Sequence, residues 1–176
     1  MEPDMFRYCP ACASERICFK QNRVFRCPDC DFTYYHNTAA ATACIVRTNT
    51  GLLFLVRNRD PEKGKLDLPG GFIDSGEGAM DGLRREFMEE LGFDIKAEEL
   101  RLFASFPNIY PYKNISYNTC DLFFYLDAPD LTEKDLQLEE AEISGVHFIN
   151  PKDLDIERIA FESVKKAVRV FLEMIY

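Results

Sequence analysis

The chain has no tryptophan, only two histidines among 176 residues, and an odd number of cysteines, seven. With His36 beside a linker and His147 in a short apolar segment, neither next to a visible partner, histidine catalysis has little to work with. No apolar run reaches the roughly 18 residues a helical membrane span needs. The first residues, MEPDMFRYCPAC, lack a basic start followed by an apolar stretch, so a secretory signal is not expected and the protein is read as cytoplasmic. A basic excess is missing too. The formal net charge is −9, which argues against broad nucleic-acid binding. No internal repeat or low-complexity segment breaks the chain.

What is present is 47% hydrophobic residues, enough for one well-buried domain with a small appendage. The charge is uneven. In residues 1–37, Glu2, Asp4, Glu15, Asp29 and Asp31 are balanced by Arg7, Arg16, Lys20, Arg23 and Arg26. The net negative charge therefore lies in residues 38–176, and the two stretches are expected to be separate domains.

Cys9-Pro10-Ala11-Cys12 and Cys27-Pro28-Asp29-Cys30 are two C-P-x-C knuckles. Each turns sharply and directs two thiolates at one point, and together they make a tetrahedral S₄ site for structural Zn²⁺. Two disulfides would use the same residues, but no export signal supports an oxidising compartment. Ala13 and Asp31 stand where such knuckles often carry glycine, which predicts some strain in both turns. Between the knuckles a hairpin is expected to turn at Gln21-Asn22, with Cys18 a packed free thiol outside the ligand set. A segment this short cannot bury a core of its own, so the metal would be tied to its folding.

Phe32 to Asn37 reads as a packed linker. Ala39 to Arg47 and Leu52 to Arg59 are apolar runs joined by Thr48-Asn49-Thr50-Gly51, a hairpin pattern. Leu100 to Phe106, Thr119 to Leu126 and Val146 to Ile149 read as further strands, with Cys44 and Cys120 as core positions. Phe161 to Ile175 is an amphipathic helix with Val164, Val168, Phe171, Leu172 and Ile175 on one side. Strands interleaved with helices give an α/β class.

The chemistry is concentrated in residues 71–93, GFIDSGEGAMDGLRREFMEELGF. A helix over 78–91 puts Glu86, Glu89 and Glu90 on one face at i,i+3 and i,i+4. Met80, Leu83, Phe87 and Leu91 form an apolar stripe beside them, and Gly92 is the natural stop. Three carboxylates on one face repel unless a cation joins them. Hard oxygen donors at that density suit Mg²⁺ or Mn²⁺, completed by substrate phosphates. A solvated acidic flank would account for the helix glutamates, but not for the paired glycines ahead of it, Glu77 in the loop, or Arg85 beside the cluster.

The spacing Gly71-x5-Glu77-x7-Arg85-Glu86-Phe87-x-Glu89-Glu90-x-Gly92-Phe93 resembles the signature of the Nudix hydrolases. The resemblance implies an α/β/α sandwich around a mixed sheet, behind the small N-terminal zinc ribbon. It implies metal-dependent hydrolysis of the diphosphate in a nucleoside diphosphate linked to a group X. By position, Glu86, Glu89 and Glu90 hold the metal, the Gly71 carbonyl is a further ligand, and Glu77 completes the site or pairs with Arg85. Catalysis is assigned to Glu89, Glu90 and Arg85. The general base is either a glutamate of the helix or one of a later loop, where Glu142 best matches the register beside Glu139 and Glu140.

A four-cysteine ribbon ahead of such a domain resembles the NADH pyrophosphatases, which implies a homodimer. Their Ser-Gln-Pro-Trp-Pro-Phe-Pro-x-Ser motif is only partly matched here. Ser105, Pro107 and Pro111 keep it and Tyr110 keeps an aromatic, whereas the Gln, Trp and middle Pro are missing. ADP-ribose therefore competes with NADH as substrate, with AMP as product of either. Tyr110, Tyr112 and Tyr117 are candidates to stack on a purine; alternatively residues 105–116 form a Pro-rich loop whose tyrosines cover the core. Two other readings are a sensor that binds ADP-ribose-type ligands without hydrolysis and a hydrolase of NAD-capped RNA. A sensor is expected to have lost signature carboxylates, and all are present.

Overall fold

The computed structural model describes residues 7–20, 24–113 and 115–175. Near the N-terminus β1 (Cys18–Lys20), β2 (Val24–Arg26) and β3 (Thr33–Tyr35) form a small antiparallel sheet. Phe25 is fully buried between Cys9 and Cys27, with Ile17, Phe19 and Phe32 around it. The supposed linker is thus partly strand, because Thr33 to Tyr35 complete the ladder along β2. Cys18 is exposed rather than packed. The turn expected at Gln21-Asn22 lies outside the described residues.

The body is built on β4 (Ala39–Arg47), β5 (Leu52–Arg57), β6 (Leu66–Asp67), β7 (Gly70–Phe72), α1 (Ala79–Leu91), β8 (Arg101–Tyr112), β9 (Ile115–Asp127), β10 (Ile143–Ile149) and α2 (Glu162–Ile175). The sheet order is β10-β5-β4-β9-β8, with β6 beside β5 and β7 beside β4. It is mixed: β4 and β9 run parallel over Ala39–Arg47, and the other pairs are antiparallel. Leu83, Phe87 and Leu91 of α1 pack on Cys44, Val46, Leu53 and Leu55 on one face. Val164, Ala167, Val168 and Phe171 of α2 pack on Ile45, Phe54 and Phe123 on the other. Each fully buried side chain of this size contributes roughly 1.5–3 kcal/mol of transfer free energy, and two such faces make the α/β/α sandwich. Among the described residues no helix is long and apolar enough to cross a membrane.

Three expectations change. Residues 105–112 and 115–116 are strand, not loop: β8 and β9 pair antiparallel through Tyr110↔Tyr117 and Pro111↔Ser116. Pro107 and Pro111 are tolerated because β8 is the outer strand, which leaves one row of N–H positions unpaired, and prolines four apart fall in the same row. Met80 is exposed at the first turn of α1, while the rest of its stripe is buried. Cys120 is exposed on β9, whereas Cys44 is buried in the core. The helix stop is as read: Gly92 has φ +59° and its N–H bonds back to the Met88 carbonyl.

The central strands do not stay together. β4 pairs with β5 at Arg47↔Leu52 near the Thr48–Gly51 turn. Farther on, β7 takes the flank of β4 and β6 the flank of β5. Residues 66–72 cross this split, and a cavity opens there that reaches from the α1 face of the sheet to the α2 face.

Candidate active site

The loop into α1 delivers the carboxylates to one end of the cavity. Gly70 sits where β7 touches β4: a Cβ there would lie 2.1 Å from the Thr42 carbonyl oxygen, and its φ is +141°. This close approach lets the Gly70 N–H donate to Glu90 Oε2 at 2.9 Å. Gly71 lies directly against Glu86, whose carboxyl occupies the place a side chain at 71 would need. Glu86, Glu90 and Glu142 all line the cavity, of ≈ 230 Å³, together with Gly71.

Arg85 organises this end. Its Nε donates to Glu77 Oε1 at 2.8 Å, its Nη1 to Glu86 Oε1 at 2.7 Å and Glu89 Oε2 at 3.0 Å, and its Nη2 to the Phe72 carbonyl at 2.9 Å. The Glu77 carboxyl is held below its usual range by those bonds and by the Asp74 N–H. Burial pushes Glu86 up, against the pull of Arg85, and the charges of Glu89 and Glu142 push the same way. Burial pushes Glu90 well above the usual carboxylate range; the Gly70 N–H opposes this and Glu86, Asp67 and Glu142 reinforce it.

The helix face is therefore only partly gathered. Glu89 lies outside the cavity wall, 58% exposed, against Arg85. Like charges lean on whichever donor is near: Glu86 and Glu89 on Arg85, Glu90 on the Gly70 N–H. Among the described residues, the four cysteines are the one group of three or more ligand side chains whose donor atoms all lie within 4.8 Å. A hard divalent cation nevertheless fits the carboxylate end. Glu86, Glu90 and Glu142 offer oxygen donors there, and their mutual repulsion is what such an ion relieves. Glu142 forms an ion pair with Arg59, and the Glu142 backbone carbonyl accepts from the Asn58 N–H at 2.7 Å.

The cysteine site has the geometry of a tetrahedron of thiolates. Sγ separations are 3.7 Å for Cys9 and Cys30 and 3.6 Å for Cys12 and Cys27, far beyond an S–S bond. Tetrahedral ligands at the usual Zn–S distance stand about 3.8 Å apart, so the donor set fits Zn²⁺. Ala13 and Asp31 both take the left-handed conformation, at φ 60° and 57°, which is the strain expected from the absence of glycine.

Beyond the carboxylates the cavity is lined by residues that sequence reasoning missed. Arg57 Nη1 donates to Asp67 Oδ2 at 2.8 Å in a largely buried pair, and its guanidinium covers the Phe161 ring at 4.9 Å. Asn108, Thr119 and Asp121 project from β8 and β9 on the α2 side. Their one sequence signal is a carboxylate, Asp121, inside an apolar run. The three tyrosines are brought together: Tyr110, Tyr112 and Tyr117 line a neighbouring hollow of ≈ 390 Å³ with Phe72 and Arg59. Tyr110 belongs to both spaces and meets Phe72 edge-on at 5.4 Å.

The fold is an α/β sandwich on a mixed sheet, with an acid-lined cavity between its split strands. A solved NUDIX hydrolase from Nitrosomonas europaea superposes with a TM-score of 0.70 over 96% of this chain and 91% of that one, at 22% identity. The NUDIX domain family matches residues 36–170, and the chain belongs to the Nudix hydrolase family. Over 145 residues it is 25% identical to an NAD-capped RNA hydrolase NudC from Vibrio parahaemolyticus, covering 82% of this chain and 53% of that protein. Over 97 residues it is 32% identical to an ADP-ribose pyrophosphatase from Methanocaldococcus jannaschii, covering 55% of each. The chain thus spans about half the length of the curated relatives it matches.

Proposed function

We propose that this protein is a divalent-cation-dependent pyrophosphatase that cleaves nucleoside diphosphate-X compounds of the ADP-ribose or NADH kind and releases AMP. The observation that carries the reading is the convergence of Glu86, Glu90 and Glu142 on one cavity whose other walls suit a nucleotide. Relatives named as an ADP-ribose pyrophosphatase and as a hydrolase of NAD-capped RNA support the substrate class.

In this reading Glu86 and Glu90, with the Gly71 carbonyl, hold Mg²⁺ or Mn²⁺. Glu89 and Glu77 complete the set, from the flank that Arg85 organises. When bound, the cation neutralises charge on the diphosphate and polarises its phosphorus–oxygen bonds. Arg85 is a positioning residue, because its contacts are to Glu77, Glu86 and Glu89. Glu142, on the opposite wall, takes the proton of the attacking water. Tyr110, Tyr112, Tyr117 and Phe72 offer ring faces and edges to a purine. Residues 1–37 are a ribbon stapled by Zn²⁺ through Cys9, Cys12, Cys27 and Cys30, and residues 38–176 are the catalytic domain.

The test is product analysis with Mg²⁺ or Mn²⁺ across ADP-ribose, NADH, NAD⁺, diadenosine polyphosphates and nucleoside triphosphates, with Glu89→Gln and Glu90→Gln as controls. AMP from ADP-ribose or NADH, lost in the variants, is the expected result. No hydrolysis of any compound would sink the reading. The NudC likeness favours one second reading, NAD-capped RNA as substrate. Cleavage of a capped oligonucleotide faster than of free NAD⁺ would select it.

A further inference from the structure

The cavity has two ends, and only the α1 end is taken up by the proposed metal chemistry. The α2 end is built for hydrogen bonding. Asn108 on β8 stands directly opposite Thr119 on β9, and Asp121 follows two residues on, hence on the same face of the sheet. Thr119 is 3% exposed and Asp121 8% exposed. The Thr119 hydroxyl lies buried in the cavity wall with no hydrogen-bond partner among the described residues. Asp121 accepts from the buried Ser163 hydroxyl through Oδ2 at 2.6 Å, and no contact among the described residues engages its second oxygen. A buried hydroxyl without a partner is costly, and a polar ligand entering the cavity would satisfy it.

The surroundings restrict what that ligand is. At the α2 end the Phe161 ring is already engaged, covered by Arg57 at 4.9 Å and meeting Tyr110 at 5.5 Å, and Phe123 is fully buried, so a second aromatic ring is poorly received there. An ionised carboxylate accepts only, while threonine and asparagine both donate and accept. A group that presents donors and acceptors on adjacent atoms, without a flat ring, answers this set. Vicinal hydroxyls of a sugar do so.

Building on the pyrophosphatase reading, we propose that Asn108, Thr119 and Asp121 form the subsite for X, and that X is a terminal sugar with free vicinal hydroxyls. Asp121 is its specificity-determining residue, and Ser163 positions the carboxylate by holding its other oxygen. The base then lies in the tyrosine hollow, the diphosphate at the carboxylate end, and the sugar on the α2 side. ADP-ribose is preferred over NADH because NADH adds a ring that this end has no face to receive.

The experiment is calorimetric binding of ADP-ribose, NADH and the β-methyl ester of ADP, which lacks the sugar, in the presence of Mg²⁺. AMP is assayed separately on the same samples. Wild-type protein is expected to bind ADP-ribose at least tenfold more tightly than the other two. Asp121→Asn, which keeps an acceptor for Ser163, is expected to lose roughly 10–100-fold of ADP-ribose affinity, and Thr119→Val roughly 3–10-fold. The methyl ester should bind equally well to all three proteins. Since Thr119→Val is nearly isosteric, it keeps the test open if Asp121→Asn folds poorly. Equal losses on ADP-ribose and the methyl ester, no loss on either, or NADH binding as tight as ADP-ribose would each overturn the subsite. Selective binding without AMP release would uphold the subsite and refute the hydrolase. AMP release without selectivity would do the reverse, and no binding of any probe would refute both.

Discussion

Replacing Gly71 by alanine puts a methyl group where the Glu86 carboxyl now stands. A Cβ built at 71 lies 2.6 Å from Glu86 Cδ and Oε1 and 2.8 Å from Oε2. Non-bonded carbon contacts settle near 3.5–4.0 Å, so the carboxyl has to retreat by about 1 Å. The backbone at 71 is not left-handed, and the clashing atoms are the end of a flexible side chain. The folding cost is therefore about that of one strained rotamer, roughly 0.5–1.5 kcal/mol, or a few degrees in Tm. The functional cost is larger, because a displacement of about 1 Å in a reacting constellation removes on the order of 100-fold in rate. Gly71→Ala should thus fold normally while kcat/KM on ADP-ribose and Mn²⁺ affinity fall together. Gly70→Ala is the contrasting neighbour: its Cβ would sit 2.1 Å from a backbone oxygen at φ +141°, and the variant should fail to fold. Wild-type activity and metal affinity in a folded Gly71→Ala protein would refute the placement of Glu86.

Arg85→Lys keeps the charge but cannot span Glu77, Glu86, Glu89 and the Phe72 carbonyl at once. It should lower kcat by about 10–100-fold with little change in KM, as steady-state kinetics would show. Ala13→Gly removes a left-handed non-glycine residue from a knuckle, so it should stabilise the ribbon by about 1 kcal/mol, read as slower metal loss to a chelator. The Glu90 carboxyl is raised mainly by burial. A raised folded value means its contribution to stability is fully present below the unfolded value, about 4.3, and is lost as pH rises through the folded one. Metal-free wild-type protein should therefore lose stability relative to Glu90→Gln as pH rises above the unfolded value, and thermal melts of the pair across a pH series measure the difference.

Most of the carboxylate end was legible because it lies within residues 71–93, where helical period alone puts Leu83, Phe87 and Leu91 inward and Glu86, Glu89 and Glu90 on one side; Gly70 and Glu142 join it from outside that stretch. The i,i+4 spacing of Arg85 and Glu89 allows a surface pair between them, and the structure forms it; spacing alone does not choose between that pair and a place in the cavity. The prolines at 107 and 111 suggested a loop, since nothing local reveals that a segment will be an outer strand. The α2 end of the cavity was hidden for a related reason. Asn108, Thr119 and Asp121 meet through the register of β8 on β9, which a one-dimensional pattern does not contain. A carboxylate in the apolar run of β9 was the single hint.

The central claim joins cation binding at Glu86 and Glu90 to diphosphate cleavage, and one titration tests it most directly. Mn²⁺ is added to chelator-stripped protein with ADP-ribose while calorimetric binding and AMP release are followed on the same preparation. The account predicts that both saturate together, and that both are lost in Glu86→Gln and Glu90→Gln. AMP release that persists in chelator, or in either variant at wild-type rate, would contradict it.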